Sequence, residues 1–160
     1  MKLNIRPVKQ QDVPELIHLC LLAFEPIFDS FKQILGPDIF LVIYPDWRQT
    51  QTDVVNAEIY AEDITVWVAE VEGEVAGLIT QKVNQNTRIG EVHFLAVHPD
   101  YQNQGIGTAL NTFVLDQLRK IGMDVAMVST GGDNSHAPAR RTYEKVGFIP
   151  LPIVNYYTKL

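Results

Sequence analysis

The sequence predicts one α/β domain with a mixed, mostly antiparallel central sheet flanked by helices, and three observations carry that prediction. The chain has 160 residues, a length that suits a single compact domain over 1–160. Its middle, from Ile64 to Val97, reads as three successive strands joined by short turns. On both sides of that block, apolar residues recur at helical spacing.

The elements follow in order. Lys2 to Arg6 alternates and stops at Pro7, as a short strand does. Asp12-Val13-Pro14-Glu15 reads as a helix start, with Asp12 as cap, Pro14 in the first turn and Glu15 completing a capping box. Leu16, Leu19, Cys20, Ala23 and Phe24 then form one apolar stripe, giving a helix to about Phe24. Asp29 to Leu35 reads as a second, short helix stopped by Gly36-Pro37. Asp46 can cap a third, with Trp47, Gln51, Val54, Val55 and Ile59 on one face.

Ile64–Val71 is β-branched and aromatic, Glu72-Gly73 is a hairpin turn, and Val75–Lys82 returns. Gly77 within that run predicts a bulge or a close backbone approach. Arg88–Val97 is the next strand. Gly105–Lys120 is a long amphipathic helix ended by Gly122. A buried strand is expected at Val125–Ser129, a helix at Pro138–Val146, and a last strand at Ile153–Lys159.

Composition narrows the function classes. Apolar residues make up 46% and charged residues 20%, which supports a core and argues against disorder. Nineteen acidic against thirteen basic side chains give a net charge of −6, a poor fit to nucleic-acid binding. An anionic ligand must therefore be held by a local feature. The single Cys20 excludes an intrachain disulfide and a thiolate zinc cluster, and no metal site is expected. The start, MKLNIRPVKQQ, lacks a signal-like apolar stretch, and Leu16–Phe24 is too short to span a bilayer. A soluble, cytoplasmic protein without a membrane partner is the expectation.

The most informative stretch runs from Val97 to Thr108, where a strand ends, a loop turns and Gly105 and Gly107 open a helix. The first N–H groups of a helix lack internal partners, and the helix dipole adds positive potential there. Glycine lets a phosphate approach that backbone closely. The bland alternative is a tight turn that merely starts a helix. The Gly-Lys-Ser/Thr ending of an ATP-binding loop is absent, as is the third glycine of a dinucleotide fingerprint.

Gln102-x-x-Gly105-x-Gly107, after a strand ending Phe94-Leu95-Ala96-Val97-His98-Pro99, resembles motif A of the GNAT acetyltransferase superfamily. The run His136 to Phe148, containing Tyr143-Glu144-Lys145-Val146-Gly147-Phe148, resembles its motif B helix. The resemblance covers about Ile64 to the C-terminus. It implies acetyl-coenzyme A as cosubstrate and an N-acetyltransferase acting by direct attack in a ternary complex. By the same resemblance, the backbone of Leu95, Ala96 and Val97 should pair with the pantetheine arm. Gln102 and the amides of Asn103, Gln104, Gly105, Ile106, Gly107 and Thr108 should hold the pyrophosphate. Tyr143 should be the acid that protonates the departing thiolate, and a phenol with a reference pKa of about 10 is protonated at neutral pH. Many relatives carry an asparagine seven residues before this tyrosine; here His136 stands in that place, with Asn134 two residues earlier as the alternative contact.

The acceptor amine must lose a proton before it attacks. Glu91 and His93 lie two apart on one strand and face the same side, so either can be the base, Glu91 being the first choice. Attack by an already neutral amine, a water relay and a base elsewhere are the other options. Residues 1–61 should shape the acceptor side and 62–160 the sheet with the cofactor site. The N-terminal part is rich in aromatics, most of them packing residues; Ser30 and Trp47 are the candidate acceptor contacts. Arg140 and Arg141 read as a solvated face and Trp67 as core. The acceptor is an amine on a small molecule or a peptide. A terminal strand entered through Pro150-Leu151-Pro152 makes a homodimer an option. The competing reading is a non-catalytic acyl-coenzyme A-binding module, which would not need Tyr143.

Overall fold

The structure is a computed structural model that describes residues 2–160; Met1, the first residue of the expected domain, lies outside the described residues. Five strands form one sheet in the order β1 (Leu3–Pro7), β2 (Ile64–Val71), β3 (Glu74–Asn84), β4 (Ile89–Val97) and β5 (Val125–Val128). All neighbours are antiparallel except β4 and β5. The β2–β3 hairpin turns on Glu72 and Gly73, both with positive φ, the pair of conformations that a two-residue turn needs to match strand twist. Gly77 fulfils its expectation, since a Cβ there would stand 2.8 Å from the Ala96 carbonyl oxygen on β4.

Two cores cover the two faces. On one, α1 (Val13–Ile43) and α2 (Trp47–Tyr60) bring Leu16, Leu19, Cys20 and Val55 onto Val66, Val68 and Leu78. On the other, α3 (Ile106–Lys120) sets Ile106, Leu110, Val114 and Leu118 on Ala69, Ile79 and Val92. Trp67 belongs to this second core, edge-on to Phe113 at 4.8 Å between ring centroids. α4 (Ala137–Lys145) packs beside α3.

Several boundaries differ from the sequence reading. The expected break after Phe24 does not occur: α1 runs through Pro26 and is interrupted only at Gly36, φ 76° and ψ 159°. Asp12 does not cap α1 with its side chain; its buried carboxylate accepts from Lys9 N at 2.7 Å and from Arg6 at 2.7 and 3.0 Å. The buried stripe of α2 is Gln51, Val55 and Glu58, and Val54 is exposed. β5 is an edge strand with Val125 and Met127 in water, not a buried one. The strand expected at Ile153–Lys159 does not form, because the segment has no ladder partner; Ile149, Leu151, Ile153, Val154 and Tyr156 stand exposed. Among the described residues no helix is long and apolar enough to cross a membrane, and no cluster of His, Cys, Asp or Glu could hold a metal ion.

Candidate active site

The sheet opens where β4 and β5 part. Their pairing ends at Val92 with Val128, while β4 runs on to Val97 held by β3 alone. A bulge lies at the same level: Thr80 pairs with Phe94 and Gln81 with Val92, leaving His93 as the extra residue. A bulge bends its strand, and here it accompanies a cleft of about 680 Å³. One wall is His93, Phe94, Leu95, Ala96 and Val97; the facing chain is Val128, Ser129 and Thr130. The β5 side of Leu95–Val97 has no neighbouring strand.

The head of the cleft is the start of α3. Asn103 (φ 59°) and Gly105 (φ 84°) both adopt the left-handed conformation and curl the chain into the helix. No side chain caps it. The first backbone bond across the turn is from Ala109 N–H to Gly105 O, 2.9 Å. Among the described residues, the N–H groups of Asn103 to Thr108 donate to no protein acceptor. They and the helix dipole give this end of the helix a local positive potential in a chain of net charge −6. Side chains brace this turn without covering it. Gln102 Nε2 donates to Val97 O at 3.0 Å, Gln104 Nε2 to Asp100 O at 2.9 Å, and buried Asn111 Nδ2 to Gly107 O at 2.8 Å. Gln102, Asn103, Gly105, Ile106, Gly107 and Thr108 line the cleft; Gln104 does not.

Tyr143 is the buried residue of α4 and also lines the cleft. Its ring stands edge-on to Phe148 at 5.9 Å. Burial pushes its phenol up to about 12, so the group keeps its proton at neutral pH. The hydroxyl makes no hydrogen bond to a described residue, and it is not sealed from the cleft. It is therefore a free donor on the wall of the cleft.

The loop before α4 is tied to α1. Asp133 accepts from Ser30 Oγ at 2.6 Å and from Ser135, and its Oδ1 lies 2.5 Å from His136 Nδ1. Burial alone would raise the Asp133 pKa, but the hydrogen bonds from Ser135, Ser30 and His136 outweigh it and hold the carboxyl well below its usual range. His136 stacks on Phe31 and lines the cleft, whereas Asn134 does not. Arg140 is not a solvated residue: its guanidinium donates to Gly131 O at 2.6 Å and Asp133 O at 2.7 Å. Ser30 thus serves the loop through Asp133. Trp47 is stacked on Phe28 at 4.7 Å under the Arg48 guanidinium and lies outside the cleft.

Of the two base candidates, His93 lines the cleft and Glu91 does not. The residue that sequence reasoning missed is Glu58, buried on α2. Its Oε1 is 2.6 Å from His93 Nδ1 and its Oε2 accepts from buried Thr80 Oγ1 at 2.7 Å. The available signal was spacing, since Gln51, Val55 and Glu58 are four and three apart on one helical face. The remaining wall comes from α1, where Leu22, Ala23, Phe24, Pro26 and Ile27 reach the cleft. Pro26 has no N–H, so the Leu22 carbonyl loses its usual donor one turn on.

Comparison with known proteins points to one family and one fold. The sequence model of the acetyltransferase (GNAT) family matches residues 28–148. The chain is 37% identical over 101 residues to a mycothiol acetyltransferase of Streptomyces coelicolor, an alignment covering 63% of this chain and 32% of that protein. With the mycothiol acetyltransferase of Sanguibacter keddieii it shares 37% over 136 residues, 80% of this chain and 42% of the other. The chain thus spans well under half the length of these curated relatives. The fold is similar to that of the PaiA N-acetyltransferase of Thermoplasma acidophilum, solved in complex with coenzyme A. The TM-score is 0.68 at 18% identity, covering 93% of this chain and 91% of that one.

Proposed function

Because the chain belongs to the acetyltransferase (GNAT) family, we propose that it transfers the acetyl group of acetyl-coenzyme A to an amine by direct attack in a ternary complex. The observation that carries this reading is the joint presence, in one cleft, of the free Asn103–Thr108 amides and the free Tyr143 hydroxyl. The amides hold the pyrophosphate. The open side of Leu95–Val97 pairs with the pantetheine arm as a further strand would, and this directs the thioester along β4 towards Tyr143. Tyr143 gives its proton to the sulfur as the C–S bond breaks. His136, on the cleft wall, contacts the cofactor in place of Asn134. A binding module alone would have no use for a buried phenol left without a protein partner.

Residues 1–61 shape the acceptor side and 62–160 the cofactor side. The acceptor is an amine on a small molecule, a class supported by the names of the curated relatives. The bare edge of β5 and the exposed apolar tail support a homodimer formed through that face. Sedimentation of the full chain, with Met127→Lys as the dissociating variant, checks it; a monomer at high concentration removes it.

Turnover is tested by incubating the protein with acetyl-coenzyme A and kanamycin, glucosamine, cysteine or spermidine, and following acetylated product by mass spectrometry. Expected is amine-dependent product with coenzyme A released in equal amount. Cofactor binding without product for any of these amines favours the binding module.

A further inference from the structure

We propose that Glu58, Thr80 and His93 form the base side of this site, with His93 Nε2 taking the proton from the acceptor ammonium. The inference rests on the transfer reading above and adds residues from two elements that neither sequence motif contains.

The geometry assigns the roles. Glu58 is 6% exposed and sits in the core between α2 and the sheet. A carboxylate in such a place requires partners for its oxygens. Thr80, fully buried on β3, donates its hydroxyl to Oε2 at 2.7 Å, and Oε1 lies 2.6 Å from His93 Nδ1. An ionised carboxylate only accepts, so Nδ1 carries the proton of the neutral imidazole and Nε2 bears the lone pair. Among the described residues Nε2 has no hydrogen-bond partner. The ring is 38% exposed and lines the cleft. The bulge in the β3–β4 ladder explains why the ring is there, since it inserts His93 as an extra residue beside Phe94. Phe94 itself stacks on Phe24 of α1 and closes the neighbouring space. Glu58 and Thr80 are positioning residues; His93 is the group that meets substrate.

The protons balance. The ammonium gives one proton to His93 Nε2, and its lone pair forms the C–N bond to the acetyl carbon. The C–S bond breaks, and sulfur takes the Tyr143 proton. A second nitrogen proton is lost as the amide forms and restores Tyr143 through water. His93 returns its own to solvent. One N–H remains on the product and one proton is released overall.

Other charges near His93 are Asp63 in the α2–β2 turn, Lys82 on β3, which pairs with Asp63 at 2.7 Å, and Glu91 on β4, which faces Lys82. The Asp63–Lys82 pair is exposed and screened, so Glu58 dominates the imidazole.

Two measurements on the full chain test the proposal. The first is long-range proton–nitrogen NMR of the wild type, with His93 signals identified by their loss in His93→Gln. Expected is an Nδ1–H tautomer at neutral pH; an Nε2–H tautomer overturns the proposal without any variant having to fold or turn over. The second is the pH profile of kcat/KM with whichever amine of the panel is acetylated fastest. His93→Gln should lower kcat by about 100-fold and abolish the acid limb, with coenzyme A affinity unchanged. Glu58→Gln removes the carboxylate that fixes the Nδ1–H tautomer, so its pH profile should differ from that of the wild type, with a fall of about 10-fold. Glu58→Asp should restore part of the limb. An acid limb identical in wild type, His93→Gln and Glu58→Gln overturns the assignment. If no amine of the panel is acetylated by the wild type, the transfer reading fails, while the tautomer still decides the Glu58–His93 pair.

Discussion

The two faces of the sheet bury similar apolar residues and carry different polar loads. Under α3 the core is Ala69, Val71, Ile79, Val92, Leu110, Val114 and Leu118, and the buried polar side chains are uncharged: Asn111, which braces the first turn, and Gln81, opposite Val92. Under α1 and α2, similar aliphatics surround a carboxylate, Glu58, together with Gln51 and Thr80. The first face presents backbone amides, and its chemistry depends on where the helix starts. The second presents side chains brought together from three elements. Binding an anion with main chain asks no charge of the core; moving a proton requires an ionisable group near it.

The sharpest test of the first face is Leu110→Ala. Leu110 is fully buried. The lost contacts and the cavity should cost about 3 kcal/mol in urea unfolding. The folded fraction should still bind coenzyme A, because the Asn103–Thr108 amides precede the damaged turn. A variant that keeps its stability would mean that the α3 face is not the packed layer described.

On the wall of the cleft, Tyr143→Phe should reduce kcat by about 10- to 100-fold with little change in stability near neutral pH, since the hydroxyl has no protein partner. A second readout is alkaline stability. Burial raises the phenol from 10 to about 12 in the folded chain. Its contribution is therefore complete below pH 10 and lost as pH climbs towards 12. Wild type should lose more stability over that window than the phenylalanine variant, which keeps the raised Tyr44 and Lys82; thermal melts across the range check it.

The tie between α1 and the loop before α4 is tested by Asp133→Asn. The depressed pKa means that stability is present above the ordinary carboxylate range and is lost as pH falls through it to the folded value. The variant should be less stable by roughly 1–2 kcal/mol at neutral pH, and the difference should shrink in acid. Denaturant curves at several pH values measure it. An unchanged difference would mean that Asp133 does not link Ser30 to His136 through its charge.

The contrast between the faces also explains what the sequence revealed. The glycine turn, the β2–β3 hairpin, α3 and Tyr143 were legible because each is a local pattern: a turn residue, a helical period, a short motif. The continuity of α1 was hidden because Pro26 and Gly36 look alike as breakers, yet only Gly36 takes a non-helical conformation. The terminal strand was misread because a strand exists only with a partner, and β-branched residues do not supply one. Glu58 was invisible as a functional residue because its partners, Thr80 and His93, lie 22 and 35 residues away and are set by sheet register. Ser30, likewise, meets Asp133 across 103 residues, so its role in the loop could not be read locally.

The smallest expected change in stability is also the one that separates folding from function most cleanly. Glu58→Met with Thr80→Val replaces a hydrogen-bonded polar pair by apolar groups of similar size. A buried carboxylate loses its hydration on folding, and replacing both partners of a buried pair is often neutral or stabilising. The double variant should thus unfold within about 1 kcal/mol of wild type, on either side. Coenzyme A should bind as before, because the α3 amides lie beyond the opposite face. Acetylation should fall as it does in His93→Gln, since the ring has lost the group that sets its tautomer. A double variant that keeps full activity would make the polar residues of this face a tolerated cost of packing. One that fails to fold would make them structural, and the division of labour between the two faces would not hold.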